Sequence, residues 1–222
     1  MDKADLEFTP VKPPSRNDRT RPDGELLNGA EPPREDVAVV TAALEGDPGA
    51  RRELAERYAP HVAGILYNVL GPRSPLQDVA QDVFLVVFRD LVTLRDPAAL
   101  RAWITRIAVN RAQTYLRGRR RRWWLVYSDD EVDVADTMPF NHESRRAVRA
   151  TYDVLNRLPA RERTAFALRY VEGMSLVEVA DALELSLATT KRTLRSANDR
   201  FRKHAARDPR LASYLQRGGN HE

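Results

Sequence analysis

Apolar side chains recur every three or four positions from Val37 to about Leu116. Leu54, Tyr58, Val62, Ile65 and Val69 form one stripe, the spacing of a single helix face. Gly71-Pro72 predicts where that helix stops. Val79, Val83 and Val87, with Phe84 and Phe88 beside them, mark a second helix. Asp96-Pro97 starts a third, which carries Trp103, Ile104, Ile107, Ala108, Ala112, Tyr115 and Leu116. Three such helices suffice for a small bundle. The pattern lapses over residues 123–148, with two tryptophans, a run of acids and Met138-Pro139, and returns from Arg149 to about Lys203.

Within that second helical stretch, Ser175 followed three residues on by Glu178 is a capping box that predicts a helix start. Leu176, Val179, Ala180 and Leu183 give it a buried face, and small Ala180 allows another helix close approach. Glu184-Leu185-Ser186 interrupts the pattern, with Ser186 placed to cap the next helix. In that helix Thr190, Leu194, Ala197 and Phe201 are expected to face the core, while Ala188, Lys191, Arg192, Arg195 and Arg202 form a basic outer row. Two short helices, a tight turn and a basic face on the second helix describe a helix-turn-helix. Glu184 stands where glycine usually supplies a left-handed turn, so the turn is expected to be looser than usual.

The expected fold is all-α, with no alternating pattern long enough to predict a strand. Two small helical domains, a bundle at 37–122 and a helix-turn-helix domain at 149–205, are joined by a flexible linker at 123–148. Tails at 1–36 and 206–222 flank them. The first tail holds six of the fourteen prolines and is expected to be disordered, since it buries too little apolar surface to offset chain entropy.

Composition narrows the chemistry. The chain of 222 residues has no cysteine, which removes disulfides, thiolate metal sites and cysteine nucleophiles and fits a cytoplasmic protein. Apolar runs such as Val83–Phe88 fall far short of the roughly 20 residues that span a bilayer, so no membrane insertion is expected. The N-terminus lacks the basic and apolar segments of a signal peptide. There is no GxxxxGK[ST] phosphate loop, and the four histidines, at 61, 142, 204 and 221, are too scattered to suggest a metal site. No cofactor and no catalytic residue are expected.

The net charge of +4 matters less than its distribution. Residues 101–122 hold eight arginines and no acid, whereas residues 129–136 hold five acids and no base. Segregation of this kind usually means separate partners for separate segments. Arg106, Asn110, Gln113 and Arg117 share one helix face, and their side chains suit bases and phosphates. Trp103 is a candidate platform for an unpaired base, and Arg119–Arg122 add phosphate attraction. On the preceding helix Asp78, Gln81, Asp82 and Arg89 flank an exposed-facing Leu85. An apolar anchor ringed by polar groups is how helix-docking interfaces are built, and its acidity favours a protein over DNA.

The blocks DVAQDVFLVVFRDL (78–91), LRAWITRIAVNRAQTYLRGRRRR (100–122) and the stretch 155–203, in that order around an acidic linker, resemble the small bacterial sigma factors of the extracytoplasmic-function group. The resemblance covers about residues 40–205. It implies that Asp78, Gln81, Asp82 and Leu85 dock on core RNA polymerase. It implies that residues 94–117, with Trp103, Arg106, Asn110, Gln113 and Arg117, recognise and melt the proximal promoter element. Ser186, Thr189, Lys191, Arg192 and Arg195 would read the more distant element as duplex, and the acidic linker would lie in the polymerase RNA channel. Family members are commonly held inactive by an anti-sigma factor, which is therefore a further expected partner. This chain departs from the pattern at Ser74-Pro75-Leu76, where more acids are usual, and at Thr190, where a β-branched apolar residue is commoner. The rival reading is a conventional dimeric helix-turn-helix regulator, which needs no second DNA-contacting helix.

Overall fold

In a computed structural model, the structure describes residues 34–72, 74–122 and 142–211. It is all-helical among these residues, as the periodicity predicts. The tail up to residue 33, the acidic run 129–136 and the last residues, 212–222, lie outside the described residues, and with them most of the expected linker.

The first part contains α1 (Arg34–Leu44), α2 (Pro48–Leu70), α3 (Leu76–Asp90) and α4 (Leu100–Arg122). Helix α2 is central and packs on α1, α3 and α4. Asp47 starts it, accepting from the amides of Gly49 (3.1 Å) and Ala50 (3.0 Å), and Pro48 follows at a position where its missing N–H costs nothing. All five residues of the first apolar stripe are buried, as are Val79, Val83 and Val87 of α3 and Ile104, Ala108, Ala112 and Leu116 of α4.

Two polar ties fix this bundle. Buried Asp36 of α1 pairs with Arg57 and accepts from the Tyr58 hydroxyl at 2.9 Å. Burial, reinforced by the hydrogen bond to Asp36, pushes the Tyr58 hydroxyl up to about 12. His61 of α2 meets Thr105 Oγ1 of α4 at 2.8 Å. That hydroxyl donates to the Arg101 carbonyl, so it accepts from His61 Nε2.

The second part contains α5 (His142–Leu155), α6 (Ala160–Phe166), a π-helical turn (Ala167–Val171), α7 (Leu176–Ala182) and α8 (Leu187–Ala205). Helix α5 starts inside the span read as linker, so that reading is corrected at 142–148. The C-terminal tail is also shorter than expected, because Leu211 is buried against Ala150, Val154 and Ala205.

The two parts do not sit apart. Ala165, Leu168, Val179, Ala182, Leu183 and Leu194 belong to the same apolar cluster as Val83 and Ile104, and α4 packs on both α6 and α7. One core therefore runs through both helical units.

Burial, with a smaller contribution from the Arg101 charge, pulls the His61 imidazole down to about 3. Between pH 6.5 and 3 the unfolded chain binds a proton that the folded chain does not, so stability falls as pH falls through that window. The expected loss from this group is up to about 1.4 kcal/mol per pH unit. Denaturant titrations at pH 7 and 5.5 should show it, and His61→Asn should flatten the dependence.

Candidate nucleic-acid and partner interfaces

The α3 face follows from its helical spacing. Leu76, Val79, Val83 and Val87 are buried on one side, while Asp78, Gln81, Asp82, Leu85 and Arg89 are exposed on the other. Leu85 is 69% exposed, which makes it an available apolar anchor rather than a core residue. Asp78 lies in the first turn, where a negative charge is favoured by the helix dipole. Arg89 hydrogen-bonds the Asp90 carboxylate at 2.7 and 2.8 Å. This bond raises the guanidinium and lowers the carboxyl relative to their ordinary values. Arg89 is thus neutralised locally, and Asp78 and Asp82 set the sign of the face.

On α4 the four-residue polar stripe is only partly at the surface. A 3₁₀ turn, Pro97–Ala99, capped by Asp96, leads into the helix. Asn110 and Arg117 are exposed and Arg106 is half-buried. Gln113, however, is only 8% exposed. It lies at the edge of the stripe nearest the buried Val109 and Leu116, on a helix covered by both halves of the molecule. The surface stripe is therefore corrected to Arg106, Asn110 and Arg117, joined by exposed Thr114. The Arg117 guanidinium reaches Thr114 Oγ1 at 3.4 Å. Trp103 is half-buried and packs against the core, so most of its ring is not offered as a free platform. The helix runs on through Arg122, which carries the arginine run on the helix rather than after it.

The helix-turn-helix forms as its caps predict. Ser175 and Glu178 make both bonds of the capping box, at 3.2 and 2.7 Å, and Ser186 Oγ accepts from the Thr189 amide at 3.2 Å. The turn between the helices is tight rather than loose, correcting the expectation. Glu184 itself takes the left-handed conformation, with φ 54°, and the Leu185 amide closes back on the Ala180 carbonyl at 2.9 Å.

Beyond the turn, Thr190, Leu194 and Ala197 of α8 are buried, while Ser186, Lys191, Arg192 and Arg195 are exposed and Thr189 is half-buried. The Arg192 guanidinium is steadied by Thr189 Oγ1 at 3.3 Å. Further along, Phe201 stacks on Phe166 with centroids 4.6 Å apart, and Glu162 of α6 accepts from Ser196 at 3.0 Å. These contacts hold α8 in place with its basic side outward.

Two neighbours of that side had no periodic signal in the sequence. An open groove of about 400 Å³ beside α8 is lined by Arg169 and Tyr170 together with Lys191, Arg195, Asn198 and Arg202. Arg169 and Tyr170 arrive through the π-helical turn. Asn198 donates to the Tyr170 hydroxyl at 2.9 Å. Among the described residues no group of three or more His, Cys, Asp or Glu could hold a metal ion, and no helix is long and apolar enough to cross a membrane.

Residues 54–122, spanning most of α2 through α4, match the family described as Sigma-70 region 2, and residues 149–197, from α5 into α8, match Sigma-70 region 4. The ECF RNA polymerase sigma-E factor of Haemophilus influenzae is 30% identical over 169 residues, covering 70% of this chain and 87% of that protein. The chain belongs to the ECF sigma factors. Other relatives include the RNA polymerase sigma-H factor of Pseudomonas aeruginosa, 27% identical over 82% of this chain and 96% of that protein. The sigma-E factor of Escherichia coli K12 is likewise 27% identical, over 82% of this chain and 97% of its own length. Among solved structures, CnrH in complex with the cytosolic domain of CnrY aligns with a TM-score of 0.53 and 22% identity over 78% of this chain and 98% of that one. That likeness shows the shared fold. In this sigma factor the acidic α3 face and the α4 stripe lie within the region 2 match, and the turn and the basic face of α8 as far as Arg195 lie within the region 4 match.

The left-handed Glu184 supplies a direct check on the turn. Glycine adopts that conformation without the Cβ clash, so Glu184→Gly should stabilise the sigma factor by about 0.5–1 kcal/mol. Thermal unfolding should show the midpoint rising; an unchanged or lower midpoint would mean the turn does not hold Glu184 as described.

Proposed function

We propose that this sigma factor docks on core RNA polymerase through the outer face of α3 and recognises promoter DNA at two places, with α4 and with α8. The observation that supports it is the division of exposed faces. One face is acidic around an exposed leucine, and two others are basic and lie on separate helices. The protein does no chemistry of its own. Asp78, Gln81 and Asp82 ring Leu85 with hydrogen-bonding groups, an arrangement suited to a protein partner. Ser186, Thr189, Lys191, Arg192 and Arg195 present hydroxyl and cationic donors suited to a major groove.

Arg106, Asn110 and Arg117, with Trp103 and Gln113 near them, face the proximal promoter element. Capturing unstacked bases there offsets an unstacking cost of about a few kcal/mol. Tethering both DNA-binding surfaces to the polymerase raises the effective concentration of each, so neither needs high affinity alone. The site of action is then the cytoplasm, where the polymerase works. CnrH is solved with the cytosolic domain of CnrY, and by that likeness an anti-sigma protein is the proposed inhibitor.

Gel filtration with sigma-free core polymerase tests the docking face. The wild type should co-elute, and Asp82→Arg combined with Leu85→Ala should not; unchanged co-elution would place docking elsewhere. A wild type that elutes separately and shifts duplex DNA unaided would instead be a conventional dimeric regulator. For the distant element, Arg192→Ala should weaken promoter binding by about 1–3 kcal/mol while polymerase binding stays intact. Equal loss of both in a titration would defeat this division of labour.

A further inference from the structure

Helix α8 begins with an apolar side chain that the core leaves largely uncovered. Ser186 fixes where the helix starts: its hydroxyl accepts from the Thr189 amide at 3.2 Å and its carbonyl from the Thr190 amide at 2.9 Å. Leu187 is therefore the first residue of the helix. It lies three residues before Thr190 and seven before Leu194, both buried, so helical period assigns it to the inward row. Yet Leu187 is 47% exposed, the one large apolar side chain that α8 leaves exposed among the described residues.

Its place at the tip is the reason. Side chains on an α-helix lean towards its N-terminus, and Leu187 has no earlier turn of α8 to lean on. Leu185, just before the cap, packs against the central apolar cluster instead. Single exposed leucines are common on protein surfaces; the neighbours of this one set it apart. Ser186 and Ala188 on either side are exposed and short, so the leucine is the bulk of the tip. Lys191, Arg192 and Arg195 are exposed on the turns that follow, which suits a polyanion better than an apolar protein groove.

In a helix-turn-helix the first residues of the second helix contact base edges in the major groove. Cations there satisfy phosphates and base acceptors, but they do not sense a methyl group. Leucine has the opposite chemistry. Pressed against hydrogen-bonding groups of a base edge, it would strip them of water and offer no partner in return. Thymine alone presents a methyl group, at C5, to the major groove, and apolar side chains are what read it.

We propose that Leu187 reads the C5 methyl of one thymine in the distant promoter element, which makes it a specificity residue of α8 beside the cationic row. This deepens the two-site promoter reading and rests on it. Removing one methyl from such a contact corresponds to about fourfold in affinity.

The probe is duplex DNA selected from a random library by the full-length protein bound to core polymerase. Each thymine of the distant element in the selected duplex is then replaced in turn by deoxyuridine, which removes the methyl and nothing else. At one position the wild type should lose about fourfold in affinity. Leu187→Gln should bind the thymine and uracil duplexes equally, whereas Leu187→Met, which keeps an apolar side chain of similar size, should retain the preference. Each comparison is a ratio within one protein, so a variant that binds more weakly throughout still answers the question.

A wild type indifferent to uracil at every position, or a Leu187→Gln variant as sensitive as the wild type, overturns the assignment of Leu187 while leaving promoter recognition intact. Selection of no sequence by the wild type with polymerase would sink the promoter reading itself, and the thymine contact with it.

Discussion

A long helix ends with carbonyls that need donors, and in this protein the end of α2 is where the two halves of the chain meet. Helix α2 already supports α1, α3 and α4 along its length. Because Arg163 and Tyr152 add donors to its last carbonyls, beside the Gly71 amide on Tyr67 and the Ser74 hydroxyl on Leu70, the second helical unit is oriented by the same element that organises the first. Apolar packing surrounds this polar contact, with Leu168, Val179 and Leu183 joining the cluster that holds Val83 and Ile104. Packing supplies area, and the directional bonds select one orientation from the many that apolar contact would tolerate.

Around that frame, function is carried by the sides of helices that packing leaves over. Helix α3 commits Leu76, Val79, Val83 and Val87 inward, which leaves Asp78, Gln81, Asp82 and Leu85 outward. Helix α8 commits Thr190, Leu194 and Ala197, which leaves Lys191, Arg192 and Arg195 outward. The buried rows set the rotation of each helix, and rotation decides which chemistry meets solvent. Separate helices thus present opposite charge without the two faces cancelling each other. Local hydrogen bonds refine the result: Arg89 is drawn onto Asp90, whereas Arg192 is steadied by a neutral threonine and keeps its charge available.

Sequence by itself determined the helices, their inward rows and the helix-turn-helix. Each depends on neighbours within a turn or two: the capping box of Ser175 and Glu178, the cap at Ser186, the stop at Gly71 and the period of Leu54, Tyr58, Val62, Ile65 and Val69. It also carried the family resemblance, through blocks whose order survives at 27–30% identity to the relatives described above.

Tertiary structure alone decided how far those faces stay exposed and what joins the two halves. Gln113 reads as one more member of a polar stripe, but it sits at the stripe's edge, and the packing around α4 buries it. Glu184 reads as an obstacle to a tight turn, yet packing of α7 against α8 holds it in the left-handed region. Arg163 reads as one arginine among many, and Arg169 and Tyr170 carry no periodic signal at all. Their roles arise from carbonyls and side chains distant in sequence, and a pattern of neighbouring residues holds no record of contacts that form only when remote segments meet.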